Sequence, residues 1–233
     1  MIKLKEIIEN GVNIPKLVNT INPFIHNIVN NKPVERPVAG AVVINDEGKL
    51  LVVYSEFANQ GWFCPKGGMD YGETTVEAAK REAFEESGVS VSHLAMNTPL
   101  IIKSDYVFEN TLGFGSPRYN NEGPDISQAA YDIMKQAANV AGITDNVFND
   151  NMVAIFDELA DIKVDWISRP ITYHFFAYKG NDTGSSHESI EQKWLPIDEI
   201  KKMNKLHGHL KRIISVIESG GLIDKIQKIS TTL

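Results

Sequence analysis

The sequence predicts an α+β fold, and three patterns along its 233 residues support this class. Two strand-like runs flank the turn sequence NDEG: VAGAVVI at 38–44 and KLLVVYS at 49–55. An acidic segment with helical character follows at about 75–87. Further strand patterns come later and are separated by a long stretch of helical patterns. We therefore expect a main domain of strands and helices that carries additional helical segments.

The N-terminal residues read as two short helices, at 2–9 and 15–29, separated by Gly11. The Asn-Lys-Pro sequence at 31–33 ends the second one. This pattern predicts an N-terminal helical extension over residues 1–36 that lies against the main domain.

The acidic segment is predicted to form a helix from about Thr75 to Ser87. Thr74 or Thr75 can cap its first turn, and Thr74 with Glu77 has the spacing of a capping box. Gly88 stands where a left-handed C-cap residue belongs. The loop before this helix contains the sequence GWFCPKGG.

The later strands are expected near 89–95, 100–108 and 171–180. The stretch between the last two, about 109–168, is too long for a loop without structure of its own. Helical patterns at about 126–141 and 149–161 make it a helical insertion, in which Tyr131, Met134 and Phe156 fit helix core faces. A lid over an active site and a contact in a homodimer are both open roles for it. The sequence KWLPIDEI then introduces a C-terminal helix, interrupted at Gly208, that ends near Gly220-Gly221.

Composition excludes several classes of protein. Hydrophobic residues make up 42% of the chain and aromatic residues 9%, which supports a sizeable core. A net charge of −7 and a pI of about 5.4 argue against a general binder of nucleic acids or anionic membranes, although a local basic groove remains open. The N-terminus has no long apolar run, and the single cysteine, Cys64, suits a reducing cytoplasm.

The predicted acidic helix places several carboxylates side by side. At about 100° per residue, Glu82, Glu85 and Glu86 share one face. An apolar stripe lies on a different face, and its members are Val76, Ala79, Ala83 and Phe84. Like charges at this spacing repel, so a positive partner is expected. Two partners are open: solvent with Lys80 and Arg81, or one or more hard divalent cations, of which Mg²⁺ is the first choice.

The spacing of the segment from Gly67 to Val89 resembles the complete signature of the Nudix hydrolase family. Gly67, Glu73 and the run REAFEESGV from Arg81 occupy its fixed positions, and Ala83 is the one soft departure. The resemblance covers about 37–108 and 169–219, and it implies a mixed β-sheet packed between helices. The Nudix domain would then span 37–233, with the insertion inside it.

The resemblance also implies an activity and a set of roles. Such enzymes hydrolyse nucleoside diphosphates linked to another group, with Mg²⁺ or Mn²⁺ as cofactor. By position, Glu82, Glu85 and Glu86 would bind metal, with Glu82 also catalytic and Glu85 the alternative base for the attacking water. Arg81 and Glu73 would brace the loop against the helix. A downstream glutamate, Glu188 or Glu191, is a further catalytic candidate, and Glu191 is our choice.

Lys66, Gly67 and Gly68 are the expected substrate-binding residues. The substrate itself stays open among dinucleoside polyphosphates, ADP-ribose or NAD-like dinucleotides, capped RNA and nucleoside triphosphates. The segment from Lys201 to Arg212 carries five Lys or Arg residues beside His207 and His209, and it either steers polyphosphate or RNA or forms a solvated helix face. Two rival functions are a nucleotide-binding regulator on the same fold and an isopentenyl diphosphate isomerase, which would need Cys64 as a catalytic residue.

Overall fold

The computed structural model describes residues 12–55, 61–116, 126–184, 186 and 189–233. The chain divides into two compact units. The first comprises Met1–Pro37, Gly68–Gly72 and Ser104–Arg169, and the second comprises Val38–Gly67, Glu73–Lys103 and Pro170–Leu233. The N-terminal extension and the helical insertion, which are far apart in sequence, therefore belong to one unit.

The second unit is built on a β-sheet with the strand order β3-β2-β1-β8-β5. Five strands lie wholly in this unit: β2 (Leu50–Ser55), β3 (Gly61–Phe63), β5 (His93–Leu94), β6 (Leu100–Ile102) and β9 (Glu191–Leu195). Three more lie in it only in part: β1 (Val34–Asn45) from Val38 on, β4 (Lys66–Gly68) up to Gly67 and β8 (Lys163–Tyr178) from Pro170 on. β1 and β2 form the expected hairpin with Ile44 opposite Leu50. β2 is paired antiparallel with both β3 and β9. The short strands β3 and β4 lie in the segment that the sequence predicted to be a loop.

Helices accompany the sheet of the second unit, which confirms the α+β class. They are α2 (Thr75–Ser87), α5 (Ile197–Ile200), α6 (Gly208–Gly220) and α7 (Leu222–Ser230). The core of this unit contains Val42, Val52 and Phe175 from the strands together with Ile213 and Ile217 from α6. Gly208 begins α6 and does not interrupt a helix, which corrects that prediction.

The C-terminal helix α7 was not predicted, because Gly220-Gly221 read as the end of the helical segment. Gly221 has φ of 57° and starts a new helix in place of ending the chain's structure. Leu222 and Ile226, one turn apart, are buried in the core of the second unit. Ser230 follows one turn later, and its hydroxyl donates to the carbonyl of Ile44 at 3.1 Å.

The first unit has a separate core that consists mainly of helices. Its elements are α1 (Ile14–Val29), β7 (Val107–Thr111), α3 (Gln128–Val140), α4 (Asp145–Leu159) and the residues of β8 up to Arg169. α1 packs against α3 and α4, with Leu17, Ile21 and Ile25 fully buried. The predicted helix at 15–29 is confirmed, whereas the one at 2–9 lies outside the described residues.

Both helices predicted in the insertion are present, and α4 begins four residues earlier than expected. Met134 and Phe156 are buried in the first core and Tyr131 packs against it, as predicted. The segment 109–168 is not helical at its ends, because β7 and the first part of β8 occupy them. β8 starts eight residues before the predicted position, and its buried Val164 and Trp166 alternate with the exposed Asp165.

Within the described residues, no helix is long and apolar enough to cross a membrane.

Candidate active site

Helix α2 is fixed at both ends by its own sequence. The hydroxyl of Thr74 accepts from the backbone N–H of Glu77 at 3.3 Å, and the Glu77 carboxylate accepts from the backbone N–H of Thr74 at 2.8 Å. Gly88 is left-handed with φ of 69°, and its N–H donates to the carbonyl of Phe84 at 2.7 Å. The predicted capping box and C-cap are therefore both confirmed, and they define the orientation of the residues between them.

The buried face of α2 differs from the face that the sequence predicted. Phe84, assigned to the apolar stripe, is 56% exposed, whereas Glu82 and Glu86 are only 5% and 8% exposed. The helix packs through the small side chains of Ala78, Ala79 and Ala83, which leave room for the two carboxylates on the inner side. A solvated acidic face is therefore excluded for Glu82 and Glu86, and burial raises the cost of leaving their charges uncompensated.

Arg81 supplies part of this compensation. Its Nε and Nη2 donate to the two carboxylate oxygens of Glu73 at 2.8 and 2.9 Å, which is the two-pronged geometry of a strong ion pair. Its Nη1 donates to Glu82 at 2.8 Å and to Glu85 at 2.9 Å. Arg81 therefore connects the loop residue Glu73 to α2, as its predicted supporting role requires, and also fixes two of the candidate metal ligands.

The loop before α2 contacts the same carboxylates through its backbone. The N–H of Lys66 donates to Glu86 Oε2 at 2.7 Å. A Cβ atom at Gly67 would overlap the Glu82 carboxylate, so only glycine leaves that carboxylate in place. Lys66 and Gly67 thus lie beside Glu86 and Glu82.

Gly68 has a different neighbour. In the first unit, a Cβ at Gly68 would overlap the Arg36 guanidinium, and a Cβ at Gly115 would meet the same group. Arg36 lies over the ring of Phe114 with 4.9 Å between the guanidinium carbon and the ring centroid. The assignment of Gly68 as a substrate-binding residue stays a prediction.

His174 on β8 meets the first residue of α2. Its Nε2 lies 2.8 Å from the hydroxyl of Thr75. Burial lowers the pKa of His174, which favours the neutral ring. No pattern in the sequence singled out this residue, because its partner lies 99 positions away.

The C-terminal end of α2 is held by two serines that the sequence analysis did not select. The Ser186 hydroxyl donates to the carbonyl of Glu85 at 2.8 Å, and the Ser189 hydroxyl donates to the carbonyl of Glu86. These bonds satisfy carbonyls in the last turn, where a helix lacks internal partners.

The two downstream glutamates are not brought to α2 by any described contact. Glu188 lies outside the described residues. Glu191 begins β9 opposite Tyr54 and forms an ion pair with Lys193 at 2.6 Å. Its catalytic role stays a prediction.

The donor set of α2 fits a hard divalent cation, although the three glutamates do not form a finished site. Among the described residues, no three His, Cys, Asp or Glu side chains converge in the geometry of a metal site. Glu82 and Glu86 nevertheless present carboxylate oxygens from one buried helix face, one turn apart, and Mg²⁺ and Mn²⁺ prefer such oxygens. The close fit of Gly67 over Glu82 keeps this space clear of side chains.

Residues 34–119 match the family model of the NUDIX domain. This chain carries a NUDIX domain. The matched region contains β1 to β7 and all of α2, so it includes every predicted site residue except Glu188 and Glu191.

The relatives of the NUDIX domain are similar over a limited length. An RNA pyrophosphohydrolase from Mesorhizobium japonicum is 45% identical over 69 residues, which are 26% of this chain and 40% of that protein. An RNA pyrophosphohydrolase from Ruthia magnifica is 33% identical over 73 residues, 30% of this chain and 40% of that protein. The chain thus spans about 40% of the length of the curated relatives it matches.

Solved structures also resemble the chain. The MutT protein from Methanosarcina mazei is 14% identical, covers 82% of this chain and 97% of its own, and gives a TM-score of 0.45. An Ap4A hydrolase from C. elegans is 17% identical, covers 84% and 99%, and gives a TM-score of 0.36. At these scores the likeness adds nothing to the assignment made from the family model.

The cysteine and the aromatic residues near the NUDIX site are buried or packed against other side chains. Cys64 is fully buried, and burial together with the nearby Glu86 raises the pKa of its thiol far above the usual range. Such a thiol is not ionised and is a poor nucleophile. Trp62 is buried in the core of the second unit, whereas Tyr71 is 41% exposed and stacks on Tyr131 at 3.8 Å between ring centroids.

Proposed function

We propose that this chain is a divalent-metal-dependent hydrolase that cleaves the diphosphate linkage of a nucleoside diphosphate joined to another group. The candidate substrates are dinucleoside polyphosphates, ADP-ribose or NAD-like dinucleotides, capped RNA and nucleoside triphosphates. Mg²⁺ or Mn²⁺ is the proposed cofactor.

The observation that carries the proposal is the burial of two carboxylates, those of Glu82 and Glu86, one turn apart on α2. The guanidinium of Arg81 donates to Glu73, Glu82 and Glu85. Glu86 is buried beside them and accepts from a backbone N–H. Burying two carboxylates side by side is costly unless positive charge compensates them, and a bound cation would supply such charge.

Each residue then has a proposed task. Glu82 and Glu86 would hold the cation with their buried carboxylates, and a bound Mg²⁺ or Mn²⁺ would neutralise phosphate charge and acidify a water. Glu85, whose side chain is 37% exposed, would take the proton from that water. Arg81 and Glu73 would hold these carboxylates in position, and the backbone at Lys66 and Gly67 would line the approach of the phosphates.

The chemistry of Cys64 disfavours one rival. A neutral, fully buried thiol is unsuited to the isomerase reaction, which would need a reactive cysteine. The regulator hypothesis keeps the same binding site without turnover.

A panel assay tests the function. The protein is incubated with Mg²⁺ or Mn²⁺ and each candidate substrate, and release of phosphate or nucleotide is followed. We expect Glu82→Gln and Glu86→Gln each to lower kcat by about 100-fold or more, because each removes a charge that holds the cation. Circular dichroism should show an unchanged fold.

Glu77→Gln is the matched control, because it is the same substitution on the same helix. Gln can replace Glu in a capping box, so activity should stay within about twofold of the wild type. Full activity of both Glu82→Gln and Glu86→Gln would refute the metal assignment. Tight binding of one compound without hydrolysis of any would favour the regulator.

RNA with a 5′-triphosphate end is a second, narrower candidate substrate. Its support is the name of the relatives that are 33–45% identical to this chain over 69–73 residues. Because these matches span only about 40% of the relatives, specificity for RNA has to be tested directly. A higher kcat/KM for triphosphorylated RNA than for any nucleotide in the panel would support it, and equal values would not.

A further inference from the structure

The turn that precedes α6 is fixed against β3. The backbone N–H of Trp62 donates to the carbonyl of Lys205 at 2.9 Å, and the N–H of His207 donates to the carbonyl of Trp62 at 3.0 Å. Gly61 has no room for a Cβ because that atom would overlap the same Lys205 carbonyl. These contacts set the positions of His207 and His209 relative to β3, and β3 leads directly into Lys66.

Lys205 is in a left-handed conformation with φ of 59°, and no other non-glycine residue in the described part of the chain has a positive φ. Such a conformation is unfavourable for a lysine and persists only where the surroundings hold it. The turn is therefore a defined structure and not an arbitrary surface connection.

His207 presents a hydrogen-bond donor at this turn. Its Nδ1 accepts from the backbone N–H of His209 at 3.3 Å, so the neutral ring carries its proton on Nε2. The rings of His207 and His209 meet edge to face with 4.5 Å between their centroids. The Nδ1 of His209 is buried and has no hydrogen-bond partner among the described residues.

The charged groups that act on these two rings are cations. Burial, followed by the nearby Lys66, lowers the pKa of His207. Burial, His207, Lys66 and Arg212, in that order, lower the pKa of His209 to about 4. These shifts favour the neutral form of both rings at pH 7; Lys66 acts on both rings and Arg212 acts on His209. The backbone of Lys66 also bonds to Glu86, which connects this group to the carboxylates of α2.

We propose that Lys66, His207, His209 and Arg212 bind the outer phosphates of a linear chain of three or more phosphates. An imidazole N–H beside cationic side chains suits phosphate oxygens, which accept hydrogen bonds and carry negative charge. This inference rests on the proposed function. It selects nucleoside triphosphates, dinucleoside polyphosphates or 5′-triphosphate ends over ADP-ribose, which has only two phosphates.

Calorimetric titration with inorganic triphosphate tests the site without any need for turnover, and it is run both in EDTA and in Mg²⁺. His207→Asn keeps an acceptor for the His209 N–H but removes the Nε2 donor. Arg212→Gln removes one cation, and Lys211→Gln removes the neighbouring exposed cation as the matched control. We expect Kd to rise about tenfold in His207→Asn and about threefold in Arg212→Gln, with no change in Lys211→Gln.

Steady-state kinetics provides the second readout. KM for the triphosphate-bearing substrate should rise by a similar factor in His207→Asn, while kcat and the KM for ADP-ribose stay within about twofold of the wild type. If His207 had only a structural role, His207→Asn would lower the melting temperature and would change KM for both substrates by a similar factor.

Three outcomes separate the two proposals. If all three variants bound triphosphate as tightly as the wild type, the phosphate site would be overturned. It would also be overturned if the wild type bound no triphosphate in either buffer. If the wild type binds triphosphate and His207→Asn loses it, while no compound in the panel is hydrolysed, the phosphate site stands and the proposed hydrolase function falls.

Discussion

Arg81 uses all three of its guanidinium nitrogens on three carboxylates. Two of them hold Glu73, and the third is shared by Glu82 and Glu85. A lysine could not replace it, because one ammonium cannot hold a carboxylate in the forked geometry and also reach two others. At this scale the site depends on a few close contacts, and the contact between Gly67 and the Glu82 carboxylate leaves no room for a side chain.

Gly67→Ala should therefore disturb the site through one collision. The added Cβ would displace the Glu82 carboxylate, at an expected cost of about 1–3 kcal/mol in unfolding free energy and at least about tenfold in kcat. Urea unfolding measures the first effect. In a Glu82→Ala background the collision partner is absent, so the stability cost of Gly67→Ala should shrink by more than about 0.5 kcal/mol. Additive costs in the double variant would contradict this explanation.

At the scale of the element, α2 is stabilised at its start by a reciprocal cap and at its end by Gly88 and two serines. The cap also affects titration: hydrogen bonds from the backbone and hydroxyl of Thr74 lower the pKa of Glu77. A carboxyl with a lowered folded pKa stabilises the protein above its unfolded pKa, and the contribution disappears as the pH falls through the folded value.

Thr74→Ala should destabilise the protein by about 1 kcal/mol at pH 7, because the first turn loses its cap. The difference from the wild type should shrink as the pH falls, because a protonated Glu77 carboxyl no longer accepts both hydrogen bonds from Thr74. Urea unfolding at pH 7 and at successively lower pH checks both statements. Thr20→Ala is the matched control, since the Thr20 hydroxyl only bonds back to the carbonyl of Lys16 in α1. An equal loss of stability in both variants would argue against the cap.

Local signals in the sequence were sufficient to predict both ends of α2. Contacts between distant segments have no such local signal and could not be predicted. Thr74, Glu77 and Gly88 specify the helix ends through neighbours three or four residues away, so both ends were predicted. The inward face was predicted only in part: Ala79 and Ala83 are buried as expected, but Phe84 is exposed and Glu82 is buried. A residue's polarity says little about its exposure where alanines make the contact. Ser189, whose partner Glu86 is 103 positions away, had no local signal at all.

At the scale of the whole molecule, three partly or fully buried histidines couple stability to pH. Burial lowers the pKa of His174, His207 and His209, and that of His209 reaches about 4. Between the folded value and the usual value near 6.5, the unfolded state binds more protons than the folded state. Their contribution to stability is therefore complete above about pH 6.5 and is lost as the pH falls.

Urea denaturation at pH 7.5, 6.0 and 5.0 should accordingly show decreasing stability. His209→Gln removes one of the titrating groups and should flatten this dependence. His93→Gln, at an exposed position on β5, should leave it unchanged. Identical slopes in both variants would show that acid weakens the fold through other groups.

The shared core of α1, α3 and α4 has a practical consequence for anyone who expresses part of this protein. Cutting the chain to residues 34–119, as the family match invites, would discard all three helices at once. Cutting only before residue 34 would be worse for solubility: Leu17, Ile21 and Ile25 would leave, and the apolar sides of α3 and α4 that they cover would meet water. At about 1.5–3 kcal/mol for each lost side chain, the shortened protein would tend to self-associate and precipitate.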